Sequence, residues 1–93
     1  MSDSPVPSYA VAPAVLLQRA GDSTLLLDTR SGQYFELDDV GTRILELLGE
    51  HGTVDAIVVE LAEDYDAPAE LLAVDVRQLV DELVGHGLLE RKE

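Results

Sequence analysis

The hydrophobic repeat of this chain changes once, from a period of two to about 3.6 residues just after Leu37, and that switch fixes the class of fold it can adopt. Upstream, Ala14 to Arg19 and Thr24 to Asp28 are extended runs separated by Ala20-Gly21-Asp22, residues that tolerate turn geometry, so the runs should pair as a hairpin. Thr29-Arg30-Ser31-Gly32 is a second turn, with Gly32 free to take a positive φ before a third strand over Gln33 to Leu37. Three short strands in succession make an antiparallel meander.

Downstream, Asp38 or Asp39 can cap a helix whose Val40, Ile44, Leu47 and Leu48 share one face and which ends near Gly49 and Gly52. Thr53 caps a second helix, with Asp55 favourable in its first turn and a buried stripe of Val54, Ile57, Val58, Leu61 and Ala62. Asp64-Tyr65-Asp66 ends it. A third helix starts around Pro68 and runs to Gly85, placing Leu72, Val76, Leu79, Val80 and Leu83 inward and Asp75, Gln78 and Glu82 along a flank. Leu88 and Leu89 should fold back to close the core. Neither the meander nor any single helix can bury its apolar surface alone, so they must cover each other in an α+β domain. That domain is expected over residues 13–93, behind a flexible tail at 1–12 carrying Pro5, Pro7 and several small residues.

A chain of 93 residues has room for one core, removing roughly 60–68% of the unfolded surface from water. With three tyrosines, one phenylalanine and no tryptophan, Val, Leu, Ile and Ala must fill it. The formal net charge of −13 repels nucleic acid and anionic membrane and attracts cationic partners. Between Arg43 and Arg77 lie Glu46, Glu50, Asp55, Glu60, Glu63, Asp64, Asp66, Glu70 and Asp75 with no Lys or Arg among them. The absence of cysteine removes disulfides and thiol chemistry and suits the cytoplasm. No apolar run approaches the ~18 residues of a membrane span, and the first residues do not follow the pattern of a secretory signal. His51 and His86 fall in Gly-flanked helix-end loops as exposed polar residues, and Gly49 and Gly52 lack the Lys-Ser or Lys-Thr of a phosphate loop. No catalytic residue, metal or cofactor is therefore expected.

Leu25-Leu26-Leu27-Asp28, Ser31-Gly32-Gln33-Tyr34-Phe35-Glu36-Leu37-Asp38 and Val40-Gly41-Thr42-Arg43-Ile44 together resemble the PqqD-like proteins, the recognition elements of ribosomally made, modified peptides. The similarity continues through Thr53 to Ile57, Tyr65-Asp66, Asp75-Val76 and Gly87-Leu88-Leu89, covering about residues 14 to 90. Each motif is short, and their order and spacing carry the specificity. The resemblance implies a three-stranded antiparallel meander followed by three helices in a winged helix-turn-helix-like trio. It also implies binding of a precursor's leader segment as an added strand beside the third strand, packed against the third helix. A free-standing acidic chain of this size looks most like the separate recognition subunit of lasso peptide biosynthesis, which works with a leader-cutting cysteine protease and an ATP-dependent macrocyclase. One departure is Ala67, where the family often has a polar cap; Asp66 is expected to substitute.

Under that resemblance, the peptide-binding residues are Gln33, Tyr34, Phe35, Glu36 and Leu37 on the third strand, with Val74, Asp75, Gln78, Leu79 and Glu82 on the third helix. Alternation sends Phe35 and Leu37 to the core and Tyr34 and Glu36 to the other face, where they would border a groove. Asp75 has poor propensity for mid-helix, consistent with a role toward the peptide or with a plain solvated carboxylate. The charge predicts a Lys-rich leader whose association slows with salt.

Other readings compete. A chaperone of pyrroloquinoline quinone synthesis, or of another modified-peptide class, lies within the same family. A DNA-binding winged helix shares the fold class but needs phosphate-binding cations, and Pro68 to Val84 sets Arg77 and Gln78 against Glu70, Asp75, Asp81 and Glu82. An acyl carrier would place Ser23 of Gly21-Asp22-Ser23-Thr24-Leu25 at a helix start, whereas it falls in a hairpin turn.

Overall fold

The computed structural model describes residues 8–92. Its elements run β1 (Ser8–Val11), β2 (Val15–Ala20), β3 (Ser23–Asp28), β4 (Tyr34–Leu37), α1 (Asp39–His51), α2 (Val54–Tyr65), α3 (Ala69–Gly85) and β5 (Leu89–Lys92). The expected meander is β2-β3-β4, antiparallel throughout. Gly21, at φ 64°, turns β2 into β3 so that Leu16 faces Leu27 and Ala20 faces Ser23. Gly32, at φ 77°, makes the second turn and donates its N–H to the Asp28 carbonyl at 2.8 Å. The expected third strand is therefore β4, and it starts one residue late because the Gln33 N–H is taken by Ser31 Oγ at 3.2 Å.

The three helices start and stop where the sequence signals them. Asp38 Oδ1 accepts the Gly41 N–H at 2.8 Å to open α1, and Gly52 closes it in the left-handed region, φ 79°. Thr53 Oγ1 opens α2 by accepting from Ala56. At α3 the structure corrects one expectation: Pro68 is the N-cap with no side-chain cap bond, and Asp66 instead ends α2 in the left-handed region at φ 50°. A short polar residue tolerates that conformation, so Asp66 is spent on the stop signal of one helix and not on the start of the next.

Leu26 of β3, Leu47 of α1, Ile57 and Leu61 of α2, Val76 and Val80 of α3 and Leu88 are the largest fully buried side chains. Each contributes roughly 1.5–3 kcal/mol by leaving water, which is why sheet and helices fold only together. Two local features set how closely α1 approaches the sheet. A Cβ on Gly41 would stand 3.1 Å from Leu37 Cβ, so glycine permits the contact between the first turn of α1 and the end of β4. Thr24 and Thr42, each 3% exposed, satisfy each other by an Oγ1–Oγ1 hydrogen bond of 2.9 Å between β3 and α1.

The expected flexible tail over residues 1–12 is corrected at its second half. Ser8–Val11 is a strand paired antiparallel with β5, Ser8 opposite Lys92 and Val11 opposite Leu89. Residues 1–7 lie outside the described residues. Tyr9 and Val11 pack against the core and Ala12 is buried. The Tyr9 N–H reaches the Gly52 carbonyl at 2.9 Å and the Ala12 N–H the Leu88 carbonyl at 3.0 Å. A four-residue strand whose partner lies at the far end of the chain leaves no local periodicity to read.

Candidate functional site

Among the described residues, β4 is an outer strand with β3 on one side and no strand on the other. The Asp28 N–H bonds the Gln33 carbonyl at 2.8 Å, which sets the phase of the ladder. Since antiparallel pairs alternate, and Leu26 faces Phe35 while Thr24 faces Leu37, the main-chain groups of Phe35 and Leu37 point at β3. The N–H and C=O of Tyr34 and Glu36 therefore point away from the sheet. The open edge is narrower than the sequence suggests: Gln33 is engaged on both its amide and its carbonyl, and two residues carry the outward groups.

Beside this edge runs an open groove of 580 Å³. Leu37, Val40, Gly41 and Ile44 line it from the end of β4 and the first turns of α1, and Leu79 lines it from α3. Its polar lining is acidic: Glu36, Asp38, Asp75 and Glu82. The Phe35 and His86 rings meet at a centroid distance of 4.7 Å, tilted by 44°, joining β4 to the C-terminal end of α3.

Arg19, Arg30 and Arg43 are committed elsewhere. Arg19 pairs with Glu46, which also meets Arg43 at 3.5 Å, and Arg43 Nε bonds Asp64 at 3.0 Å. The Asp64 carboxylate beside it holds the Arg43 guanidinium above its usual range. Arg30 binds Asp28 at 3.0 Å and the Gly87 carbonyl at 2.8 Å, fastening the β3–β4 turn to the chain just beyond α3. That hydrogen-bonded guanidinium holds the Asp28 carboxyl below its ordinary value, while the carboxylate raises Arg30. Among the described residues Glu36, Asp38, Asp75 and Glu82 form no ion pair, so the groove presents uncompensated negative charge over an apolar floor.

The structure brings together Glu36, Leu37, Asp75, Leu79 and Glu82 of the expected site residues. Phe35 is half-buried at the His86 end, Gln33 is exposed in the turn, and Tyr34 is 69% exposed on the outer face of the sheet. Val74 and Gln78 sit further around α3, where they line a separate shallow depression with Ala73, Arg77 and Asp81. The sequence reading missed Asp38, Val40, Gly41 and Ile44. Their capping and core signals were plain, and nothing local said that the same first turn of α1 would also form the floor of a groove.

No helix of the described residues is long and apolar enough to cross a membrane, and no three His, Cys, Asp or Glu side chains among them gather as a metal site. An α+β domain with an open sheet edge beside an acid-lined helical wall is what the fold and the groove define. The family model described as "Coenzyme PQQ synthesis protein D (PqqD)" matches residues 23–89, and the chain belongs to that family. A protein of Rhizobium meliloti (strain 1021) described as "PqqA binding protein" is 36% identical over 70 residues, spanning 75% of this chain and 68% of the relative. Among solved structures, one described as "TbiB1 in Complex with the TbiA(beta) Leader Peptide" superposes with a TM-score of 0.81 at 32% identity, over 86% of this chain and 93% of the other. Another, "Lasso peptide synthetase B1 complexed with the leader peptide", shares the fold with a TM-score of 0.83 at 23% identity, over 89% and 98%.

Proposed function

We propose that the chain is a non-enzymatic recognition element that captures the leader segment of a ribosomally made precursor peptide and presents it to processing enzymes. The leader adds as a strand to β4, beside α3. The observation that carries this reading is the juxtaposition of outward main-chain groups at Tyr34 and Glu36 with an acid-lined, apolar-floored groove. Main-chain hydrogen bonds contribute only about 0.5–1.5 kcal/mol each net, less than association and ordering cost, so side chains entering the groove must supply the rest. Leu37, Val40, Ile44 and Leu79 suit an apolar side chain or the stem of a lysine, whose ammonium then meets Glu36, Asp75 or Glu82. The preferred leader is accordingly Lys-rich.

Similarity to a leader-bound protein at 32% identity over most of both chains supports leader capture. The resemblance of the sequence to free-standing recognition subunits favours lasso peptide biosynthesis as the pathway, with a leader-cutting cysteine protease and an ATP-dependent macrocyclase as the cytoplasmic partners. Similarity to a PqqA-binding protein supports a second reading, a peptide chaperone of pyrroloquinoline quinone synthesis. Titration with a fluorescent synthetic leader, read by anisotropy, tests the shared core of both. Leu79→Asp and Tyr34→Ala should each weaken binding at least about tenfold, or ~1.4 kcal/mol, with circular dichroism unchanged. Unaltered affinity in both variants removes the reading. Parallel titration with a pyrroloquinoline quinone precursor decides between the pathways by which peptide binds more tightly.

A further inference from the structure

The edge of the meander opposite β4 is also open, and its strand differs in charge from the rest of the chain. Among the described residues β2 has β3 on one side and no strand on the other. The ladder phase turns the main-chain groups of Leu16, Gln18 and Ala20 toward Leu27, Leu25 and Ser23 of β3, so those of Leu17 and Arg19 point outward. This open stretch is bounded at both ends: the Val15 N–H donates to the Ala12 carbonyl at 3.0 Å, and the Gly21 carbonyl accepts from the Arg19 guanidinium at 3.2 Å. From Ser8 to Gly21 the chain has no Asp or Glu, although it carries nineteen elsewhere. Edge strands are commonly kept from pairing by proline, lysine or projecting charge. β2 has no proline or lysine, and its one charge, Arg19, is turned onto Glu46 of α1. Leu16 and Leu17, on opposite faces, are 59% and 48% exposed.

We infer that this edge pairs with the same edge of a second copy, joining two meanders into one antiparallel sheet with a β4 at each end. Self-complementarity selects the occupant. The two outward residues flank Gln18 symmetrically, so a two-fold axis through Gln18 sets Leu17 of each copy opposite Arg19 of the other, and every outward amide meets an outward carbonyl. On the helix-facing side the aliphatic stem of Arg19 then covers Leu17 of the other copy. Other guests fit less well: a Lys-rich leader finds no carboxylate on β2, and an acidic partner is repelled by the net charge of −13. The same charge opposes a second copy. Screening confines that repulsion to ~8 Å at physiological ionic strength, and the strands in contact bring only Arg19, so the pairing is weak in dilute buffer and strengthens with salt. Leader capture has the opposite salt dependence, and because each β4 stays at an outer end, pairing leaves it unobstructed.

The chain has no cysteine, so Gln18→Cys introduces a single thiol at the proposed axis. Gln18 would face its counterpart as a non-hydrogen-bonded pair with Cα atoms about 4.5 Å apart, within disulfide range. Under mild oxidation Gln18→Cys should form a covalent dimer at least about tenfold faster than Leu16→Cys, which lies on the same face but out of register with its counterpart. Equal rates overturn the proposed axis. Sedimentation equilibrium of the wild type should show a reversible dimer with a Kd on the order of 100 µM, typical of small interfaces, tightening between ~0.05 and ~0.5 M salt. Leu17→Pro removes an outward N–H that β3 does not use, so circular dichroism should be unchanged while the dimer Kd rises at least about tenfold. Leu17→Lys keeps that N–H, sets an ammonium against Arg19 of the other copy, and should weaken the dimer likewise, which keeps the test decisive if proline disturbs the strand. A wild type that stays monomeric at every concentration and salt overturns the inference, as does a dimer that neither Leu17 variant weakens. A dimer that saturating synthetic leader dissociates also overturns it, by placing the contact at β4. None of these measurements of the free chain depends on leader capture, so failure of that proposal would appear separately.

Discussion

The two outer strands of the meander offer the same backbone chemistry with different surroundings. The ladder phase turns the main-chain groups of Tyr34 and Glu36 outward on β4, and by the same alternation those of Leu17 and Arg19 outward on β2. Neither strand contains proline. Both have a recess nearby: β4 has the groove of α1 and α3, and Leu17 of β2 borders a 340 Å³ recess formed with Tyr9, Val11, Leu45 and Leu48. The recesses differ in charge. Carboxylates from β4, α1 and α3 ring the first, while the sole charged residue lining the second is Lys92. Main-chain bonds alone cannot choose between two such edges, so the side chains walling each recess must sort a cationic guest to β4 and away from β2.

Reversing the charge of the β4 groove breaks this contrast most severely. The combined variant Glu36→Lys, Asp75→Lys and Glu82→Lys should weaken a Lys-rich leader about a hundredfold, taking roughly 1 kcal/mol for each partly exposed pair lost. The sign of the salt effect should also invert, because screening removes attraction in the wild type and repulsion in the variant. Lys92→Glu, on the other recess, should leave affinity unchanged. Leader titrations at two ionic strengths give all three results. A triple variant that retains full affinity shows that charge does not distinguish the edges.

A subtler measurement addresses the backbone directly. On addition of saturating leader, amide exchange at Tyr34 and Glu36 should slow about tenfold or more, since each gains a partner of ~1 kcal/mol or better. Phe35 and Leu37, already bonded to β3, should change less, and Leu17 and Arg19 should not change. Protection appearing at Leu17 would exchange the roles of the two edges.

The sequence disclosed the scaffold well because its signals are local. The period switch after Leu37, the glycines at 21 and 32, and the caps at Asp38 and Thr53 each act within a few residues. What escaped was non-local. β1 and β5 pair residues about eighty positions apart, from Val11 with Leu89 to Ser8 with Lys92, and each is too short to show a period. The candidate site divides the same way. Glu36, Leu37, Asp75, Leu79 and Glu82 were readable from alternation and from one helix flank, and they share the groove. Val74 and Gln78 follow the same heptad-like logic yet lie past the rim, since a helical wheel fixes which residues neighbour one another and not where a wall ends. The floor from α1 depends on how closely Gly41 lets that helix approach Leu37, a distance that no pattern in the sequence encodes.

The smallest expected effect tests how the β4 edge is held in place. Asp28 ends β3, accepts from the Arg30 backbone N–H at 2.9 Å and binds its guanidinium, and Arg30 then reaches the Gly87 carbonyl beyond α3. This clamp braces the turn that feeds β4 and the end of the helix that walls the groove, whereas the turn after β2 is held from α1, where Arg19 donates to the Gly21 carbonyl at 3.2 Å and pairs with Glu46. Because Arg30 lowers the Asp28 pKa, the carboxylate contributes stability above the ordinary aspartate value of about 3.9, and that contribution is lost as pH falls through the lower folded value. Asp28→Asn should therefore reduce stability to urea most at neutral pH, with the gap to wild type closing as pH falls through the lowered Asp28 value and the carboxylate takes up its proton. At neutral pH the same variant should speed exchange at Phe35 and Leu37, bonded to β3 from β4, more than at Leu16 and Gln18, bonded to it from β2. Equal loosening of both edges would mean that the clamp stabilises the sheet as a whole and does nothing particular for the strand proposed to receive the leader.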